Sequence, residues 1–476
     1  MSAVILSINA GSSSLKTTLF VEEQTEAGRP DLRRLASAEI SSINSPPARL
    51  KYLRGSYKDT SEVGEITDHK QAFEHVLNAF VSDSEIPEVS SKDDIDYTAH
   101  RVVQGGNFEE NQFITKKTFD KINKLSDLAP LHNASAVSLM KACHDRLPNV
   151  INVACFDSGF HHTMPDYVKA YAIDQKIAKE KGLRKYGFHG LSYQYITRTV
   201  ADFLSKPQSA TSIIALHLGS GASACAIKNG QSIDTTMGLT PVSGLPGGSR
   251  SGDIDPSLVF HYTSEASALS PSSTKDLHIS TAEEILNKQS GWKALTGTTD
   301  FSKIAVADAP DTHKLAFNIF VDRIVGYVGN YYVKLGGSVD ALVFAGGIGE
   351  KSAYLRQVVI EKVSCLGFTI DDEKNKRGTD GNDVTEIGKG EAAVRTLVVE
   401  TDEDFRFRRL NTALQLLFMA AAPMRLARIT APKRSHMGKS LGFTNPTQYR
   451  RDPVQPQGMH GVICHSLARI LFMLGK

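Results

Sequence analysis

Residues 4–8 are largely apolar and rich in β-branched side chains, which predicts a buried strand close to the start of the chain. Residues 9–14 (Asn-Ala-Gly-Ser-Ser-Ser) form a small polar turn cluster, and residues 15–20 resume the strand pattern. The pair reads as a hairpin whose tip could admit an anion to backbone N–H groups, although an ordinary Gly/Ser turn fits the same residues. From about residue 22 to 70, short strand patterns alternate with polar loops. Residues 71–81 carry Phe73, Val76, Leu77 and Phe80 at helical spacing. A short strand at 95–99 leads into His100-Arg101-Val102-Val103-Gln104-Gly105-Gly106. Residues 135–147 read as a helix, and 150–156 as an apolar strand ending at Asp157. An acid at the end of a buried strand stands where open sheets bind ligands.

A second block repeats this order. Residues 212–218 predict a strand, Gly219-Ser220-Gly221 a tight turn, and 222–227 the returning strand. A long helix (315–335), a strand (340–345), a glycine turn (346–349), a helix (351–363) and a strand (396–399) follow. A glycine-rich turn at a helix N-terminus is a physical site for phosphate. Two halves that each open with a hairpin and then alternate strand and helix imply an α/β fold of duplicated domains around a cleft. Residues 264–274 are low in complexity and read as a surface insertion.

Composition narrows the picture. The chain has 476 residues, 41% apolar and 22% charged, ordinary values for a globular protein with two large domains. Apolar runs such as 213–216 and 341–345 are far shorter than a helical membrane span needs. Five cysteines without a C-x-x-C pair argue against a zinc site or redox dithiol and fit a reducing compartment. The first residues lack the basic start and long apolar stretch of a secretory signal. The net charge of +2 hides an asymmetry: residues 406–476 hold 12 Lys and Arg against one acid, Asp452. The remaining body is mildly acidic and offers no electrostatic case for nucleic acid. Within the tail, 410–419 fits a helix, 433–457 reads as coil, and 461–474 is too short to span a bilayer. The tail is expected to pack poorly beyond about Met419.

Several polar residues sit in glycine-rich settings that core packing does not require. Arg101 precedes Gly105-Gly106, and Arg250 lies in Leu245-Pro246-Gly247-Gly248-Ser249-Arg250-Ser251-Gly252. Both are suited to fork-like contact with phosphate or carboxylate, and each taken alone also fits a surface ion pair. His189 and His217 are candidate donors to phosphate, and His132 and Asp157 share the ordinary structural alternative. Glu403 could join a magnesium shell, or belong to a solvated acidic run. No Walker-type or protein-kinase signature is present.

Taken in order, these stretches resemble the acetate kinase family, a branch of the sugar-kinase, heat-shock-chaperone and actin superfamily. The resemblance is carried by residues 8–16, 100–106, 128–133 (Leu-Ala-Pro-Leu-His-Asn), 156–161 (Phe-Asp-Ser-Gly-Phe-His) and 186–190 (Tyr-Gly-Phe-His-Gly). It continues through 217–221, 234–238 (Asp-Thr-Thr-Met-Gly), 253–256 (Asp-Ile-Asp-Pro) and 347–350 (Gly-Ile-Gly-Glu). It implies duplicated βββαβαβα domains of the ribonuclease-H-like, actin-type ATPase kind, here 1–157 and 158–400. A basic segment, 401–476, follows, and its start is expected to pack on the first domain. It also implies reversible transfer of a phosphoryl group from ATP to acetate, giving ADP and acetyl phosphate, with Mg²⁺ or Mn²⁺. A cytoplasmic homodimer without nucleic-acid or membrane partners goes with it.

Residue by residue, Asn9 and Glu403 are implied metal-shell groups, and Ser12, Ser14 and Lys16 nucleotide-phosphate contacts. Arg101 corresponds to the carboxylate-binding arginine, Asp157 to the catalytic aspartate, and His189 and Arg250 to transition-state stabilisers. Val103, Leu131, Phe188 and Pro241 match the pocket for the substrate methyl. His217, Leu218, Gly219, Ser220 and Gly221 match one nucleotide loop; Asp300, Phe301 and Ser302 a second; Gly347, Ile348, Gly349, Glu350 and Lys351 a third. A carboxylate is already a nucleophile, so positioning and charge neutralisation can carry such a reaction, and Asp157 is better read as an orienting group than as a base.

The chain departs from the family pattern at named places. Ser220 stands for an asparagine, Ser302 for an arginine, Lys351 for an asparagine, and Leu191 and Tyr193 for a threonine and a histidine. Beyond Glu403 the basic tail replaces a returning amphipathic helix. Two further readings stay open on sequence alone: a kinase for propionate or another short-chain acid, and a non-catalytic nucleotide-binding relative.

Overall fold

The structure is a computed structural model, and it describes residues 2–11, 13–24, 30–43, 45–127, 130–273, 278–379, 381–390, 392 and 394–401. Ser12, Glu403 and the whole basic tail lie outside these residues. Eight strands build the first sheet: β1 (Val4–Ala10), β2 (Ser14–Gln24), β3 (Pro30–Ser41), β4 (Arg49–Arg54), β5 (Tyr57–Glu62), β6 (Tyr97–Val102), β7 (Gln112–Phe113) and β8 (Ile151–Phe156). Their order is β5-β4-β3-β2-β1-β6-β8-β7. The hairpin predicted from the first twenty residues is present, with Asn9 opposite Lys16 and Ala10 opposite Leu15.

Six strands build the second sheet: β9 (Ile213–Leu218), β10 (Ala222–Lys228), β11 (Gln231–Thr235), β12 (Ala341–Ala345), β13 (Val384–Glu386) and β14 (Arg395–Val399), in the order β11-β10-β9-β12-β14-β13. The repeat inferred from the sequence reappears as topology. In each sheet an antiparallel three-strand meander adjoins two strands that run parallel to its first member: β1 beside β6 and β8, β9 beside β12 and β14. Both sheets belong to one compact unit.

Helices cover the sheets where their apolar stripes dictate. Helix His69–Val81 starts at Asp68, whose side chain accepts from the N–H of Gln71, and it buries Phe73, Val76, Leu77 and Phe80. Helix Asp311–Lys334 buries Phe317, Phe320, Val321, Ile324 and Val328 in the core of the second sheet. Two local expectations change. The glycine turn at 346–349 is itself helical, Gly346–Lys351, and is separated by Ser352 from helix Ala353–Val363. Glycine's weak helix propensity is overridden because Thr401 Oγ1 accepts from the N–H of Gly346 and buried Arg356 donates to the carbonyls of Gly349 and Glu350. Helix Gly190–Phe203 was not indicated by the sequence. It buries nine side chains and leaves Gln194 and Asp202 exposed, but Ser192, Thr197 and Thr199 are among the buried ones, so its inward face does not read as an apolar stripe.

Candidate active site

Parallel strands end together, and β1, β6 and β8 bring Asn9, Arg101 and Asp157 to the same edge, the ligand-binding end of an open sheet. Asp157 is 1% exposed. The Arg101 guanidinium grips its carboxylate, Nε donating at 3.2 and 3.1 Å and Nη2 at 2.7 Å, while Nη1 donates to Asn9 Oδ1 at 3.3 Å. The ion pair therefore fixes the plane and direction of the arginine fork.

A second loop closes on this edge. The N–H of Gly190 donates to the Asp157 carbonyl at 2.8 Å, and a Cβ at residue 190 would sit 2.1 Å from that oxygen, so only glycine permits the approach. His189, just before it, holds φ +58, a left-handed backbone unusual for a non-glycine residue. Behind the loop, His161 Nε2 lies 2.9 Å from the Phe188 carbonyl, which can only accept, and Nδ1 lies 2.8 Å from Ser232 Oγ. Burial pushes the His161 imidazole down to about 4, so it stays neutral while its N–H anchors the loop.

The third contributor crosses from the second half. The loop bearing Arg250 is tied by Gly247 N–H to the Arg250 carbonyl and by Gly248 N–H to the Ser220 carbonyl. Arg250 Nη1 lies 2.8 Å from where a Gly221 Cβ would stand. Burial first, and the neighbouring Arg101 charge second, lower the Arg250 guanidinium to about 10, which still leaves it cationic at neutral pH.

These groups line a cavity of about 330 Å³. Asn9, Ser14, Lys16, Arg101, Asp157, His189 and Arg250 supply its polar wall. Val103, Phe188 and Pro241 supply an apolar corner. Four cations, Lys16, Arg101, Arg250 and Lys288, beside one carboxylate already bound to Arg101 make an electropositive pocket that suits anions. Leu131 falls in the first turn of helix Pro130–Arg146. Met237, packed with Tyr186 and Phe188, and Ser249, Asn287 and Lys288 complete the wall. Sequence reasoning gave them no role. Met237 stood inside a quoted motif, whereas nothing local marked Asn287 or Lys288, which arrive from the end of helix Thr281–Lys288.

A second cavity, about 510 Å³, gathers residues from all three predicted nucleotide loops: Ser220, then Asp300, Phe301 and Ser302, then Gly347, Ile348 and Lys351. The other members of those loops sit behind it. Leu218 is wholly buried, the His217 ring meets Ser192, and the Glu350 carboxylate accepts from the N–H and hydroxyl of Thr401. Ser302, one of the departures, donates its N–H and hydroxyl to Asp300, and these bonds hold that carboxyl below its usual range. Among the described residues no helix is long and apolar enough to cross a membrane. Among them, too, no group of three or more His, Cys, Asp or Glu side chains is arranged to hold a metal.

Comparison with known proteins gives the family of the chain. Residues 4–408 match the model of the acetokinase family. A "Probable acetate kinase" of Emericella nidulans is 56% identical over 407 residues, covering 84% of this chain and 95% of its own. The crystal structure of Porphyromonas gingivalis acetate kinase superposes with a TM-score of 0.73 at 32% identity, covering 87% of this chain and all of the other. A propionate kinase from Francisella tularensis gives 0.73 at 33% identity, covering 86% and 98%.

Proposed function

The chain belongs to the acetokinase family, and on that premise we propose how its residues carry phosphoryl transfer between ATP and acetate. The observation that bears the proposal is the convergence of Arg101 and Asp157, from the edge of the first sheet, with His189 and Arg250, from two loops, on one small cavity with an apolar corner. Arg101, aimed by Asp157, receives the acetate carboxylate. Val103, Phe188 and Pro241 receive the methyl, with Met237 beside them. One carboxylate oxygen attacks the γ-phosphorus in line while the bond to the ADP oxygen breaks, so no base is needed. Arg250 and His189 meet the charge on the phosphoryl oxygens as it moves.

The second cavity would seat the nucleotide, with Ser220, the Asp300–Ser302 turn and Lys351 around it. Ser12, Ser14 and Lys16, at the hairpin, would face its phosphates. Magnesium prefers oxygen donors, keeps several waters and is held by one or two protein groups plus phosphates. Asn9, whose Oδ1 makes only one long contact to Arg101, suits that sparse role, and Glu403 is the second candidate; the Asp157 oxygens accept three hydrogen bonds from Arg101. When bound, the ion would neutralise phosphate charge. Family membership also supports a cytoplasmic homodimer.

A hydroxamate assay of acyl phosphate tests the proposal. Acetate with ATP should give product, and propionate a weaker signal, because one methylene changes binding by only ~1–3 kcal/mol. Arg250→Ala should lose about 10²- to 10³-fold in kcat while melting normally. Full activity in that variant would refute the site assignment.

A further inference from the structure

Helix Gly190–Phe203 starts immediately after His189, and one turn later Tyr193 points to the same side, its N–H donating to the His189 carbonyl at 3.0 Å. Where the family resemblance leads one to expect a histidine, this chain has a phenol. Tyr193 is wholly buried, and its Oη lies 2.5 Å from Ser223 Oγ on β10. Ser223 Oγ in turn lies 2.8 Å from His189 Nδ1. The His189 ring packs against that of His217 at a centroid distance of 4.3 Å. Its Nε2 lies 3.9 Å from where a Gly221 Cβ would stand, on the side of the Arg250 guanidinium.

We infer that Tyr193 and Ser223 are positioning residues that hold neutral His189 as the Nε2–H tautomer, so that its proton faces the cavity. The direction follows from counting donors. Among the described residues Ser223 Oγ is the only hydrogen-bond partner of the buried phenol, so the one proton the phenol has to give goes to Ser223. Ser223, with one oxygen accepting from Tyr193, has its own proton left for His189 Nδ1. A ring that accepts at Nδ1 carries its hydrogen at Nε2. Burial drives the Tyr193 phenol well above its usual range, so the first donor in the chain stays protonated. With the opposite tautomer, Nε2 would offer a lone pair to phosphoryl oxygens that are themselves acceptors.

The inference depends on His189 serving as a phosphoryl donor, as proposed above, and the two can fail separately. Ring nitrogens of the full chain labelled with ¹⁵N-histidine are compared with those of His189→Asn, which assigns the signal, and of Tyr193→Phe and Ser223→Ala. Wild type should show His189 with a bare Nδ1 and a protonated Nε2. Both variants should move the pair toward a mixture, and kcat should fall about tenfold with acetate KM changed less than about threefold, the pattern of a group that acts mainly in the transition state. A wild-type ring protonated at Nδ1, or a tautomer unmoved in both variants, overturns the inference. Full turnover in His189→Asn instead overturns the donor role on which it depends. Ser223→Ala, a small change in a strand, keeps the test open if Tyr193→Phe does not fold.

Discussion

At the level of single residues, the carboxylate of Asp157 is consumed by Arg101. A buried acid that accepts three hydrogen bonds from one guanidinium is placed to aim that guanidinium, and the acetate oxygen needs no proton removed before it attacks. Asp157→Asn keeps the size and drops the charge. A charge-assisted hydrogen bond contributes about 1.5–3 kcal/mol, so kcat/KM for acetate should fall roughly 10- to 100-fold. Steady-state kinetics with varied acetate would read this, and an unchanged kcat/KM would contradict the aiming role. The residue types were visible in the sequence as arginines, a histidine and an acid beside glycines. Their partnership was not, because Arg101 and Asp157 are 56 positions apart and meet only through the register of β6 and β8.

At the level of elements, the decisive joint is where helix Gly190–Phe203 abuts the end of β8. Gly190→Ala would thrust a methyl into the Asp157 carbonyl and separate the His189 loop from the sheet edge. Both stability and turnover should drop, the first by about 1–3 kcal/mol as expected for overpacking; a melt within a degree of wild type would contradict the contact. Strands and the stripe-bearing helices were legible because one buried face imposes a period on the residues. The Gly190 helix was not, since Ser192, Thr197 and Thr199 are polar yet buried and blur that period. The helical glycine turn at 346–351 was hidden for another reason: Arg356 and Thr401, which hold it, come from other segments.

At the level of the whole molecule, two wholly buried histidines make stability depend on acidity. Burial pushes His100 and His161 each down to about 4. Their ordinary value is near 6.5, so between pH 6.5 and 4 the unfolded chain takes up protons that the folded chain refuses. Stability is therefore fullest above 6.5 and declines as pH falls toward 4, by an amount on the order of 3 kcal/mol per histidine. Denaturant titrations across that window should show the loss, and His100→Gln, away from the cavity, should lessen its slope. An unaltered slope would mean His100 takes up a proton as readily folded as unfolded.

The stitch between Gly248 and the Ser220 carbonyl, with the Arg250 guanidinium filling the space beside Gly221, gives the two substrates a shared hinge pin. Re-engineering the donor side through Ser220 or Gly221 thus tugs on the acceptor side, and any attempt to breed a new phosphoryl donor into this enzyme should be scored on acetate kinetics from the first round.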